Sequence, residues 1–96
     1  MKYKSQRIVI QSEPFKEHYS ILEKEGTYRI EEWIKGFEYT LARDPNYGDL
    51  FKEVKGIKIF WVGKIDINNK RDVFIYYAFD EKRVIFLDIK AGKKQP

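Results

Sequence analysis

The chain has no cysteine, one histidine, one methionine and three prolines in its 96 residues. Without cysteine there is no disulfide framework, no thiol nucleophile and no Cys-based zinc site, and His18 alone cannot build a histidine cage around a metal. Redox and structural-zinc roles are excluded, and no metal or other cofactor is expected. Long apolar runs are missing too. No segment approaches the roughly 18 consecutive apolar residues of a membrane span, and Met1 to Gln11 is charged and alternating, unlike a secretory signal. The expected location is the cytoplasm, with no membrane partner.

Aromatic and charged side chains are plentiful. Seven Phe, seven Tyr and two Trp make up 17% of the chain, which concentrates apolar area in few residues. A domain of this size buries only about 60 to 68% of its unfolded surface, so the aromatics are what allow a core without covalent staples. There is no internal repeat, low-complexity segment or linker, and residues 1–96 read as a single domain.

Nineteen Lys and Arg against fifteen Asp and Glu give a net charge of +4. Residues 1–48 are balanced, eight against eight, whereas residues 49–96 hold eleven basic and seven acidic side chains. The excess is densest after Asp80, where Lys82, Arg83, Lys90, Lys93 and Lys94 face only Glu81 and Asp88. Such a tail is either a solvated end or a surface that faces phosphates.

Periodicity places the elements. Lys4 to Gln11, ending in Ile8, Val9 and Ile10, reads as a short strand. Ser12 then suits an N-cap and Pro14 a first turn, while Phe15, Tyr19 and Leu22 recur at helical spacing as far as Gly26. A second helix restarts near Thr27, with Ile30, Trp33, Ile34, Phe37 and Leu41 on one stripe, and Asp44 to Gly48 stop it. Three extended runs follow, Ile57 to Val62, Val73 to Phe79 and Val84 to Ile89. A tight turn at Asp80 to Arg83 joins the last two, and a polar hairpin loop from Gly63 to Asp72, whose flanks can extend the strands, joins the first two. The expected fold is α+β: a small antiparallel sheet with an N-terminal strand, a helical hairpin packed on one face and three C-terminal strands. Two helices cover one face only. Yet Ile57, Ile59 and Trp61 alternate with Lys58, Phe60 and Val62, and Phe74 and Tyr76 with Val73, Ile75 and Tyr77, so both faces are apolar, and one aromatic face should stay open or meet a partner.

From Thr40 onward this pattern resembles the RelE/ParE superfamily of toxins from toxin–antitoxin modules, and the RelE branch most closely. Leu41, Pro45 and Gly48, then Leu50, are similar to the end of that family's helical hairpin. Arg71, Asp72, Val73, Phe74, Ile75 and Tyr76 approach its middle strand. Asp80, Glu81 and Lys82, the strand Val84 to Ile89, and Gly92, Lys93 and Lys94 resemble its last hairpin and basic tail. Where several ribosome-dependent nucleases of the superfamily carry a histidine or tyrosine, this chain reads Gln95 and Pro96.

The resemblance implies a ribosome-dependent mRNA endoribonuclease that inhibits translation, contacts mRNA and rRNA phosphates, and is neutralised by a cognate antitoxin in an assembly such as a heterotetramer. Metal-independent cleavage needs a base for the 2′-hydroxyl, positive charge on the phosphorane and a proton for the leaving oxygen. Lysine and arginine can supply all three, provided that packed like charges lower the pKa of the lysine base. The candidate catalytic residues are Lys55, Lys58, Arg71, Lys93 and Lys94, with Glu53 as the alternative base. Phe60, Tyr76 and Phe86 are candidates for base stacking, and Arg83 and Lys90 for phosphate contact. His18 is read as structural. Two other readings stay open: a non-catalytic binding protein on the same scaffold, such as a ParE-like gyrase inhibitor or a complex-forming repressor, and a small RNA-binding domain outside the toxins.

Overall fold

The computed structural model describes residues 6–25, 30–66 and 71–93, with the side chains of 64–66, 71 and 93 outside that description, and its first element is the strand Ile8–Gln11 (β1). Helix α1 (Glu13–Lys24) starts where Ser12 accepts the Phe15 N–H at 3.3 Å, and Pro14 occupies its first turn, where a missing donor costs nothing. Helix α2 (Ile30–Arg43) buries Ile30, Ile34, Leu41 and Ala42 on its stripe. Gly26 and Thr27, the expected break between the helices, lie outside the described residues, as does the Lys4 end of the first strand. A 3₁₀ turn at Pro45–Tyr47 stops α2.

Four strands follow: β2 (Asp49–Val54), β3 (Ile57–Asp66), β4 (Arg71–Phe79) and β5 (Arg83–Lys93). The sheet order is β1-β5-β4-β3-β2. Neighbours from β2 to β5 are antiparallel, while β1 runs parallel to β5, pairing Val9 with Val84, so the five-stranded sheet is mixed. The three expected C-terminal strands are present. The first of them gains a partner in β2, whose sequence carries no alternating pattern and whose six residues are all exposed. It forms because Lys55 and Gly56 both adopt positive φ, 51° and 81°, the conformation of a two-residue hairpin turn matched to strand twist.

Strand parity decides which face is the core. Val73, Ile75 and Tyr77 of β4 face the helices together with Val62 of β3 and Val84, Phe86 and Ile89 of β5, and all of these are buried. Phe15 of α1 closes on Phe86 with ring centroids 5.2 Å apart. Leu22, Ile30, Ile34 and Leu41 complete the cluster. Each such side chain contributes about 1.5–3 kcal/mol by leaving water. α1 is tied to β5 again where Ser12 Oγ donates to the Leu87 carbonyl at 3.0 Å and His18 Nδ1 lies 2.5 Å from Asp88 Oδ1. No helix among the described residues is long and apolar enough to cross a membrane.

Candidate nucleic-acid interface

The other face of the sheet has no helix over it among the described residues. Register puts Trp61 beside Tyr76 and Gly63 beside Phe74 on β3 and β4, and Lys90 of β5 opposite Phe74. A β-bulge in β2 lies between Leu50 and Lys52, so Phe51 has no partner in the β3 register. Its ring meets Tyr76 at 5.0 Å, while Trp61 and Phe74 stand edge to face at 5.7 Å. These four rings line an open groove of about 240 Å³. Phe51 is 50% exposed, and Ile57, on the same face of β3 as Trp61, is 59% exposed.

Cations flank the rings. The Lys52 ammonium lies 5.4 Å from the centre of the Phe51 ring and the Lys90 ammonium 5.8 Å from that of Tyr76, within the range of cation–π attraction. Rings that offer flat π-faces beside ammonium groups can stack unpaired bases while the ammoniums meet the backbone, and a well-stacked base contributes about 1–3 kcal/mol.

The residues expected to form a catalytic site are distributed over both ends of the sheet. Lys55 occupies the β2–β3 turn and Lys58 lies just beyond it, so both share an end with Arg83 and the β4–β5 turn. The cross-strand partner of Lys58 is the carboxylate residue Glu53, not another cation. Arg71 and Lys93 pair with each other at the opposite end, where Arg71 also pairs with Asp66. Eight residues of β3 separate Lys58 from that end, about 26 Å at roughly 3.3 Å per residue. Lys94 lies outside the described residues.

Two of the expected stacking residues need correction. Phe86 is fully buried against Phe15, and Phe60 packs on the helix-side face between Tyr77 at 5.8 Å and Phe79 at 5.2 Å. The cause is the period of two: both residues are in register with Tyr77, on the face opposite Tyr76. Tyr76 and Lys90 do lie on the open face. Arg83 is engaged at the β4–β5 turn, where its guanidinium donates to Asp80 Oδ2 at 2.9 Å and 3.3 Å. That bond, with the Lys82 and Arg83 backbone N–H groups, holds the exposed Asp80 carboxyl down at about 2.

Phe51, Trp61, Phe74 and Lys52 were not among the expected site residues. The alternation of Ile57, Ile59 and Trp61 puts Trp61 on the face of Phe74 and Tyr76, and counting by twos along each strand would have found both. Phe51 depends on a bulge in a strand that has no sequence pattern, and no such signal exists for it.

The fold and face together define an α+β protein with an aromatic, lysine-flanked sheet surface. No family model matches the chain, and neither does any curated protein or solved structure.

Proposed function

We propose that this chain is an RNA-directed toxin of the RelE type: a cytoplasmic, ribosome-dependent mRNA endoribonuclease silenced by a cognate antitoxin that covers the same surface. The supporting observation is the open face itself, where Phe51, Trp61, Phe74 and Tyr76 lie between the Lys52 and Lys90 ammoniums. Single-stranded RNA is recognised by stacking splayed bases on such rings. Of the expected catalytic residues, Arg71 and Lys93 are adjacent in register and form the better candidate for stabilising a phosphorane.

A second reading is favoured by one specific observation. Lys55 and Lys58 stand at the other end of the sheet from Arg71 and Lys93, an arrangement suited to a toxin-like protein that binds RNA or a partner without cutting. Induced expression separates the two. Under the first reading growth stops, new ribosome-dependent 3′ ends appear on mRNA, and Trp61→Ala with Tyr76→Ala abolishes both effects. Growth arrest with intact mRNA would overturn cleavage and leave the binding reading, and arrest unaffected by the double substitution would remove the aromatic face from either.

A further inference from the structure

Beside the groove, on the same face, lies a second cavity of about 410 Å³ whose charged lining residues are two carboxylates. It shares Trp61 and Phe74 with the groove but extends toward Tyr47, Asp49 and Asp72. Asp49 is paired with Trp61 across β2 and β3, and Asp72 is two residues before Phe74 on β4. Asp72 Oδ1 is buried and has no hydrogen-bond partner among the described residues. A carboxylate oxygen withdrawn from water without a donor is costly, so a donor brought by a bound group would stabilise it. Gly63 keeps the notch between the two rings free: a Cβ there would come within 3.0 Å of Phe74 and 3.3 Å of Trp61.

We propose that this cavity binds an organic cation, the guanidinium of an arginine side chain presented by a bound polypeptide. Two observations and one property of the guanidinium group converge on that chemistry. The rings of Tyr47, Trp61 and Phe74 offer π-faces that attract cations. Two carboxylates line the same space, and one has an oxygen waiting for a donor. A planar guanidinium both stacks on aromatic rings and donates in a fork to carboxylates, which a compact ammonium does not do equally well. A phosphate would meet two carboxylates here, so the cavity is separate in chemistry from the lysine-flanked groove. The chain is net positive, so general attraction of cations does not account for binding at this spot. The inference stands whether or not the neighbouring groove takes RNA.

The test is a titration of the intact protein, followed by the backbone amide resonances of Trp61, Gly63 and Phe74. The probes are an N-acetyl-arginine methylamide, its uncharged citrulline counterpart, methylguanidinium and spermidine. The arginine amide should shift these resonances saturably, the citrulline amide should not, and Asp72→Asn should weaken binding about tenfold or more, the scale of a lost charge-assisted bond. Asp49→Asn supplies a second variant on an exposed residue, with a smaller loss expected. Equal binding of the citrulline amide, or an Asp72→Asn protein that binds as before, would overturn the proposal. Methylguanidinium or spermidine binding more tightly than the arginine amide would overturn the polypeptide source and assign the cavity to free cations.

Discussion

Tyr77 holds the turn from which the candidate sites open. Its ring is fully buried, its hydroxyl donates to the Pro45 carbonyl at 2.6 Å, and it accepts the Gly48 N–H at 3.0 Å. Gly48 is required there, because a Cβ would lie 2.5 Å from the Trp61 carbonyl and 2.6 Å from that hydroxyl. Tyr77→Phe leaves one buried donor and one buried acceptor unpaired, so denaturant unfolding should register a loss of about 1–3 kcal/mol. Burial raises the phenol to about 12, with Asp44 and Asp49 adding to the rise and the Gly48 N–H opposing it. An unfolded tyrosine titrates near 10. The protonated phenol's contribution is therefore complete below pH 10 and is lost as pH rises through about 12. Alkaline titration of stability should be shallower in Tyr77→Phe than in the parent over that interval, and identical curves would show the hydroxyl contributing nothing.

Among the elements, the β2–β3 hairpin carries the most information about what a sequence reveals. Lys55 has a φ of 51°, a left-handed conformation that costs a residue with a Cβ about 1 kcal/mol. Lys55→Gly should therefore hold or raise the melting temperature. Because that change also removes the ammonium, it tests the catalytic role expected of Lys55 without loss of fold: toxicity retained in a stable Lys55→Gly protein would exclude that role. The helices were legible because Phe15, Leu22, Ile30, Ile34 and Leu41 recur at the helical period and each is buried. β4 and β5 were legible over Val73 to Phe79 and Val84 to Ile89, where β-branched and aromatic residues dominate, while Arg71 and Asp72 of β4 and Lys90 to Lys93 of β5 fell outside that pattern. β2 was not, since Asp49–Val54 is an exposed edge strand with nothing to bury and therefore no pattern to show. The open face was visible as an apolar surplus. Phe60 and Phe86 were nevertheless placed on it, because aromatic identity was weighed there and strand parity was not.

At the scale of the whole molecule, the charge excess of the second half is spread over both ends of the sheet and the open face. Lys55, Lys58 and Arg83 mark one end, Arg71 and Lys93 the other, and Lys52 and Lys90 the face between. Single-stranded binding releases about 0.7 counterions for each phosphate neutralised. Replacing both Lys52 and Lys90 by Ala should therefore flatten the slope of log K against log salt by about 1.4, measured with an unstructured oligoribonucleotide. An unchanged slope would place the phosphates elsewhere. The parallel pairing of β1 with β5 has a consequence in time. Val9 must wait for Val84, and the backbone N–H of Ser12 for the carbonyl of Phe86. During synthesis the first strand leaves the ribosome long before its neighbour exists, whereas each hairpin from β2 to β5 needs only strands that follow one another in the chain. The strand made first therefore cannot take its place in the sheet until the last one is available, whatever the order in which the hairpins between them close.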